Sequence, residues 1–203
     1  MPTQLIDLDQ LPATPWKNGG GSTCQLAIAP PGAGLDDFAW RISCARVASA
    51  GPFSAFPDIQ RSLALLEGDL LLRRTNGETR LQACGEALDF AGEEAIDATP
   101  LAGEVLDLNL MSRRGDWQQS LRHFHLQGEQ ELHGSASVRL LLCNHGVLNV
   151  RLAAGREVVL RDRQALLMIN EPDTLHLQGQ DCCLYLGQLA QGMKARPGGL
   201  DAD

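Results

Sequence analysis

Two histidines and a glutamate have the spacing of a metal-binding motif. His123, His125 and Glu129 form the pattern H-x-H-x-x-x-E, and imidazole and carboxylate groups are common ligands of divalent ions. A solvated, partly paired polar strand explains the same pattern without a metal, and we favour that interpretation. His176 stands alone and is interpreted as structural.

A second set of polar residues could bind a small anion. The candidate ligand-binding residues are Lys17, Asn18, Arg41, Ser43, Arg61 and Asn109. Two or three cations with amide and hydroxyl donors match a dicarboxylate, or a carboxylate with a polar tail such as an imidazole or formyl group. The candidate apolar walls of this pocket are Trp16, Trp40, Phe53 and Phe56, although core packing is the expected role of at least half of them.

Some of these residues also have simpler explanations. Lys17 fits an ordinary surface lysine as well as a ligand. The glycine run at 19–21 could bring bare backbone and its N–H donors close to a ligand. Arg61 could be a surface arginine paired with Asp58 or Asp69. Both explanations of Arg61 stay open at the level of sequence.

The elements that must position these residues are strands. Most apolar segments are short, alternate with period two and are bounded by Gly, Pro, Asn or Asp, which is typical of antiparallel hairpins. The even-numbered residues from Phe38 to Cys44 are predicted on one strand face and the odd-numbered residues on the other. In segment 106–111, leucines alternate likewise with polar residues and a methionine. Short helices are expected only near 57–60 and 117–121, so the sequence predicts an all-β protein.

The chain also contains an internal repeat. When the sequence is shifted by 78 residues, 61–90 lies on 139–168 without a gap, and eight pairs are identical. The matched glycines, Gly68 with Gly146 and Gly77 with Gly155, fall where hairpin turns need positive φ. The repeat therefore predicts two similar β units.

Composition excludes several classes of protein. The 203 residues are 44% hydrophobic and 21% charged, with a net charge of -8 and no basic tract, which argues against nucleic-acid binding. No apolar run has the length of a signal peptide or a membrane span. The six cysteines are scattered without a C-x-x-C pair, so we expect reduced thiols, a cytoplasmic location and no zinc site built on cysteine.

Each copy of the repeat resembles the core of a cupin barrel, so the chain resembles a bicupin. We place an N-terminal barrel with extra strands and the pocket at 1–117, and a C-terminal barrel with a tail at 118–203. Aligned on the turn glycines, the usual cupin metal ligands are replaced by Ser54, Phe56, Arg61 and Ile96 in the first copy, and Arg139 takes the glutamate position in the second. These groups do not suit a divalent ion, so no metal or cofactor is expected. An inward-pointing Arg61 would instead need an anion.

Three ordered sequence blocks resemble the signature of the HutD/Ves family. They are WKNGGGST at 16–23, WRISCARVASAGPFSAFPDIQRSLALLEG at 40–68 and DLNLMSRRG at 107–115. The resemblance implies a bicupin fold. For HutD members it also implies a role in bacterial histidine utilisation, in which binding of a pathway intermediate such as urocanate or formylglutamate modulates expression of the pathway. It implies no established catalysis.

These observations predict a non-enzymatic intracellular protein that senses or buffers a small carboxylated metabolite. The alternative is a metal-independent cupin enzyme acting on the same class of ligand, with Lys17 as a proton shuttle. A third hypothesis is an interaction protein that docks a partner or forms a homodimer. The resemblance leaves open whether the chain belongs to the histidine-utilisation branch or to the Ves branch.

Overall fold

The computed structural model describes residues 3–152, 155–171 and 174–192 and consists almost entirely of β-strands. This confirms the predicted all-β class. The strands are β1 (Thr3–Asp7), β2 (Ala13–Pro15), β3 (Gly21–Ala29), β4 (Trp40–Val47), β5 (Gly51–Pro52), β6 (Ile59–Glu67), β7 (Asp69–Arg74), β8 (Gly77–Gln82), β9 (Leu88–Ala91), β10 (Ile96–Pro100), β11 (Val105–Arg113), β12 (Trp117–Leu132), β13 (Val138–Arg151), β14 (Glu157–Leu160), β15 (Gln164–Ile169) and β16 (Leu175–Gln191). One 3-10 helix, Leu8–Gln10, is present in the described ranges. No helix there has the length and hydropathy needed to cross a membrane.

The strands form three antiparallel sheets. The central sheet has the order β2-β3-β4-β11-β6-β9, and the small sheet has the order β5-β10-β7-β8. The C-terminal sheet has the order β1-β15-β13-β16-β12, with β14 paired to β13. The first strand of the chain therefore crosses to the C-terminal sheet, where Leu5 lies opposite Leu166. The predicted division at 117/118 placed this strand in the N-terminal unit, and residues 193–203 of the predicted C-terminal barrel and tail lie outside the described residues.

Three apolar clusters hold the sheets together. One lies between the central and small sheets and includes Leu63, Leu70 and Phe90. The C-terminal half of the chain encloses a second cluster of its own around Leu141 and Leu184. The third and largest cluster joins the central and C-terminal sheets. The central sheet is thus apolar over much of both faces, and the polar residues on the face towards the small sheet stand out against this background.

The alternation predicted along β4 is confirmed within the strand. Trp40, Ile42 and Cys44 pack in the cluster between the central and C-terminal sheets, while Arg41 and Ser43 lie on the opposite face. Phe38 precedes the strand and packs in a separate small cluster, so its predicted position on the Trp40 face is wrong.

The helices predicted near 57–60 and 117–121 are wrong. Asp58 has a positive φ of 62° in a tight turn, and β6 begins directly after it. The segment 117–121 begins β12 and pairs with β16 along its length, beginning with Trp117 opposite Gln191. Long-range strand pairing outweighs a weak local preference for helix in that segment.

The turn glycines of the repeat behave alike. Gly68 and Gly146 follow the repeated strands β6 and the first half of β13, and their φ angles are 82° and 104°. A Cβ atom on Gly68 would lie 2.7 Å from Cγ1 of Val105, so both backbone conformation and space favour glycine there. The matched glycine thus has positive φ in both copies, between β6 and β7 in the first and within β13, where the pairing register shifts, in the second.

Polar contacts and a disulfide join the two halves of the chain. The Tyr185 hydroxyl donates to the carbonyl of Leu65 over 2.7 Å, and Asn144 Nδ2 donates to the carbonyl of Leu66 over 2.9 Å. Cys84 forms a disulfide with Cys183, 99 residues further along the chain. The expectation that all six cysteines are reduced is therefore wrong for this pair, because the packing of the halves brings their sulfur atoms together.

Candidate functional site

A cavity of about 940 Å³ lies on the face of the central sheet that also meets the small sheet. All six candidate ligand-binding residues line it, and so do three of the four candidate wall residues. The set is Trp16, Lys17, Asn18, Arg41, Ser43, Phe53, Phe56, Arg61 and Asn109. Residues scattered over nearly a hundred positions thus meet in one place.

Strand register explains how the polar residues meet. Met111 on β11 lies opposite Arg41 on β4 and opposite Arg61 on β6, so the two arginines stand in one row across three neighbouring strands. Asn109 lies opposite Ser43 in the next row on the same face. Because side chains two residues apart share a strand face, the two rows bring these polar side chains together on one face, with Met111 between the two arginines.

Arg61 is the central cation of this polar group. Its side chain is buried, and its guanidinium carbon lies 4.9 Å from the ring centre of Phe90, 5.2 Å from that of Phe53 and 5.5 Å from that of Phe56. Three aromatic faces stabilise the charge that burial has removed from water. Burial lowers the pKa of Arg61 to about 10, so the group stays charged at neutral pH.

The alternative of a surface arginine is wrong. Asp58 lies beside Arg114, and Asp69 pairs with Arg80. Within the described residues no carboxylate lies within ion-pair distance of Arg61, and Nη1 donates weakly to the carbonyl of Ser54 over 3.4 Å. Its Nε has no hydrogen-bond partner. The buried guanidinium therefore retains unused donor capacity beside the cavity.

Asp107 is a buried residue of the cavity that the candidate list from the sequence did not include. It lines the cavity, is 3% exposed, and its Oδ1 accepts a hydrogen bond of 3.2 Å from the backbone N–H of Ala45. Burial raises its pKa to about 7, although the nearby Arg61 and Arg41 oppose that rise. The alternation at 106–111 had placed Asp107 on the face of Asn109, which was a usable signal for its presence in the pocket.

A neighbouring amide has unused acceptor capacity. Asn109 is buried, lines the cavity, and its Oδ1 has no hydrogen-bond partner. Buried polar atoms without partners are rare in folded proteins because each one costs free energy. A ligand with an acceptor for Arg61 and a donor for Asn109 would satisfy both atoms.

The remaining candidate polar residues lie towards the rim. Arg41 Nε donates to Oε1 of Gln25 over 3.2 Å, and burial lowers the pKa of Arg41 while leaving it a base. Lys17 and Asn18 are exposed, and Oδ1 of Asn18 accepts from the N–H of Gly20. The rim thus adds positively charged side chains to the cavity, and these side chains are in contact with solvent.

The glycine run beside this rim has a role in packing. A Cβ on Gly21 would lie 2.2 Å from the carbonyl oxygen of Arg46 and 3.0 Å from the ring of Trp16. Gly21 is therefore required for close packing of the β3–β4 pair and Trp16. None of the three glycines lines the cavity, and the expected approach of this backbone to a ligand stays a prediction.

One of the four candidate wall residues, Trp40, does not line the cavity. Trp16 lines the cavity, and its indole N–H donates to Oγ1 of Thr23 over 2.8 Å. Trp40 lies on the opposite face of β4, in the core between sheets, with its ring 6.3 Å from that of Trp117. Strand alternation that places Arg41 in the cavity must turn Trp40 away from it.

The positions that hold metal in cupins have no metal-binding character here. Ser54, Phe56 and Arg61 line the cavity, and Ile96 is buried in the barrel core. In the second half, Arg139 is buried and its Nη2 donates to the carbonyl of Glu171 over 2.6 Å.

The H-x-H-x-x-x-E residues do not converge on one point. His125 lies 3.2 Å from Asp181, and Glu129 accepts from Gln178. His123 instead lies beside Cys84 and Cys183, in the only group of three potential ligands found among the described residues.

Comparison with known proteins identifies the family of the chain. A family model described as HutD matches residues 8–185. The chain is 33% identical over 187 residues to the "Uncharacterized 21.2 kDa protein in hutC 3'region" of Pseudomonas putida, covering 90% of this chain and 96% of the relative. It is 35% identical over 121 residues to protein Ves of Citrobacter koseri, covering 59% of this chain and 62% of Ves.

Solved structures share the fold of this chain. A conserved protein of unknown function from Pseudomonas aeruginosa PAO1 has a TM-score of 0.84 at 29% identity, covering 93% of this chain and 98% of the other. HutD from Pseudomonas fluorescens SBW25 has a TM-score of 0.77 at 24% identity over the same shares. A cupin 2 conserved barrel protein from Leptotrichia buccalis, at 7% identity and a TM-score of 0.62 over 93% and 96% of the two chains, confirms the cupin-like fold alone. The family match spans most of the chain and the Pseudomonas putida relative agrees with it over nearly its full length, so the protein belongs to the HutD family.

Proposed function

We propose that the chain is a non-enzymatic intracellular binding protein for a carboxylated metabolite of histidine degradation, urocanate or formylglutamate. Through this binding it modulates expression of the histidine utilisation pathway. The observation that carries the proposal is the Arg61 guanidinium, which is buried beside the cavity with an unpartnered Nε and no carboxylate within ion-pair distance among the described residues. A carboxylate would supply the missing acceptor and the missing charge.

The charge of the cavity supports an anionic ligand. The chain as a whole has a net charge of -8, yet the cavity lining contains Lys17, Arg41 and Arg61 against a single acidic residue, Asp107. An anion is thus attracted to a locally cationic site on an acidic protein.

The dimensions and polarity of the cavity suit a small metabolite. Its volume of about 940 Å³ lies at the upper end of the range for small-molecule sites, which leaves room for ordered water beside the ligand. Phe53 and Phe56 offer flat apolar surfaces, and the free Oδ1 of Asn109 would accept from an N–H group. Urocanate has an imidazole N–H and formylglutamate an amide N–H, so both ligands offer the donor that Asn109 lacks.

Family membership supports the choice of pathway. The Pseudomonas putida relative is named for its position in the hutC 3' region, which links the family to a histidine utilisation locus. The proposal extends that link to a ligand and to a regulatory role for this chain.

Isothermal titration of the full chain with urocanate, formylglutamate and glutamate tests the proposal. We expect binding of at least one of the first two, and a loss of about 1.5–3 kcal/mol on Arg61→Ala, which is roughly tenfold or more in affinity. Arg122→Ala is the matched control, because Arg122 is exposed on β12 outside the cavity. Absence of binding by all three ligands at millimolar concentration, or equal affinity of Arg61→Ala and wild type, would contradict the proposal.

One observation supports the alternative of a metal-independent enzyme. Asp107 has a pKa of about 7 inside the cavity, which suits a general acid or base better than the exposed Lys17 does. Product formation from the same ligands that resists chelators and is lost in Asp107→Asn would establish that alternative. Binding without turnover would exclude it for these substrates.

The third hypothesis, docking of a partner or formation of a homodimer, remains a prediction. Measurement of the molar mass by light scattering at several concentrations tests the dimer directly.

A further inference from the structure

A compact group of potential metal ligands lies where the two halves of the chain meet. Cys84 is in the turn after β8, His123 is on β12 and Cys183 is on β16. One ligand atom from each of the three residues lies within 4.8 Å of those of the other two. None of the three lines the cavity described above, so this group is separate from the proposed anion site.

The histidine of this group has an unused nitrogen. Nε2 of His123 is buried and has no hydrogen-bond partner. The ring packs against Tyr185, with 5.3 Å between ring centres, which holds the imidazole beside the sulfur atoms. A buried imidazole nitrogen without a partner needs an explanation, and a bound ion is one of the few available.

The surroundings are arranged to support sulfur ligands. Nδ2 of Asn144 lies 3.6 Å from Sγ of Cys84 and 4.0 Å from Sγ of Cys183. An amide N–H directed at sulfur stabilises the negative charge of a thiolate. The Tyr185 hydroxyl also lies 3.3 Å from the carbonyl of Gly85, which helps to position the turn that carries Cys84.

We propose that Cys84, His123 and Cys183 form a redox-controlled zinc site. In the oxidised protein the two sulfur atoms are joined in a disulfide and leave only the histidine as a ligand. Two molecules of a small thiol reduce that disulfide, the thiol being oxidised to its own disulfide and the protein gaining two thiols. Zn²⁺ then displaces the two thiol protons to solvent and binds two thiolates and Nε2 of His123.

Two thiolates with one imidazole are a ligand set that zinc accepts, with a fourth position for water or another ligand. Cys84 is exposed and Cys183 is buried, so the fourth position would face the solvent side of the group. The site would join the halves of the chain by metal coordination where the oxidised protein joins them by a covalent bond.

Metal titration of the reduced full-length chain tests this proposal. The protein is reduced with a phosphine, separated from the reductant under anaerobic conditions, and titrated with Co²⁺ followed by Zn²⁺. We expect one Co²⁺ per chain, with near-ultraviolet cobalt–thiolate absorption that Zn²⁺ abolishes. The oxidised wild-type protein should show no such absorption.

Three variants distinguish this site from unspecific binding. Cys84→Ser should lose the thiolate absorption, and His123→Gln should weaken binding by more than the roughly 10- to 100-fold typical of changes outside the ligand set. Cys24→Ser is the matched control, because Cys24 is a free, partly buried cysteine elsewhere in the protein, and it should bind as wild type does. Circular dichroism of each metal-free variant separates lost binding from lost folding.

The proposal is overturned if reduced wild-type protein binds no metal at micromolar concentration. It is also overturned if folded Cys84→Ser, or folded His123→Gln, binds Co²⁺ as tightly as wild type does.

Discussion

Replacement of Asp107 by asparagine should remove a pH dependence of stability that originates in one buried carboxyl. Asp107 is 3% exposed, and burial raises its pKa from the ordinary value of 3.8 to about 7. Asparagine keeps an oxygen that can accept the 3.2 Å hydrogen bond from the Ala45 N–H, but it does not ionise. The substitution therefore changes the titration while keeping the shape of the side chain.

The sign of the pH dependence follows from the number of protons that Asp107 binds in the folded and in the unfolded chain. Between about pH 4 and pH 7, the folded chain keeps a proton on Asp107 that the unfolded chain has already released. The free energy of unfolding therefore falls as pH rises through this window and is level again above about pH 7. At about 1.4 kcal/mol per pKa unit, the full fall amounts to about 4 kcal/mol, which is an upper bound because buried groups relax and admit water.

Urea unfolding measured at several pH values between about 4 and 8 tests this expectation. Other acids and bases also titrate in this range, so the informative quantity is the difference between wild type and Asp107→Asn at each pH. Asp107→Asn should approach wild-type stability near pH 4 and exceed it by up to about 4 kcal/mol near pH 8.

Asp97→Asn is the matched control, because Asp97 is exposed on β10. Its difference from wild type should show no comparable rise across the range. A constant difference between Asp107→Asn and wild type, or a difference of opposite slope, would refute the assignment of a raised pKa to Asp107.

Two further predictions concern packing between and within the sheets. Tyr185→Phe should lower the free energy of unfolding by about 1–3 kcal/mol, because the Leu65 carbonyl loses its 2.7 Å partner in a buried interface. Denaturant unfolding measures this, and an unchanged midpoint would contradict it. Gly21→Ala should cost about 1–3 kcal/mol, because the added Cβ would lie 2.2 Å from the Arg46 carbonyl oxygen. Gly51→Ala, with no atom within 4 Å of its added Cβ, should be close to neutral in the same denaturant-unfolding assay.

Local patterns in the sequence were sufficient to predict which side chains lie on each face of an individual strand. Alternation along β4 separates Arg41 and Ser43 from the core-facing residues, and alternation along β11 places Asn109 opposite its leucines. The same rule, applied consistently, would have excluded Trp40 from the pocket, because residues 40 and 41 must face opposite sides. Helix expectations failed where long-range pairing of β12 with β16 decided the structure.

Local patterns could not predict contacts between segments that are far apart in the sequence. The pairing of β1 with β15 joins the first strand to the last third of the chain, and no local signal specifies it. Six cysteines allow many pairings, so spacing cannot select Cys84 and Cys183. The burial of Asp107 has the same origin, since its environment depends on which strands pack around β11, although alternation alone had placed it on the face of Asn109.

The sequence by itself determined the all-β class, the internal repeat, the family and the types of polar residue that line the cavity. These properties follow from side-chain period, turn chemistry and composition, which are local. Only the tertiary structure decided that Arg41 and Arg61 stand in one row, that Asp107 is buried beside them and that Cys84 meets Cys183. Strand register, burial and the packing of the two halves set those distances, and each depends on segments far apart in the chain.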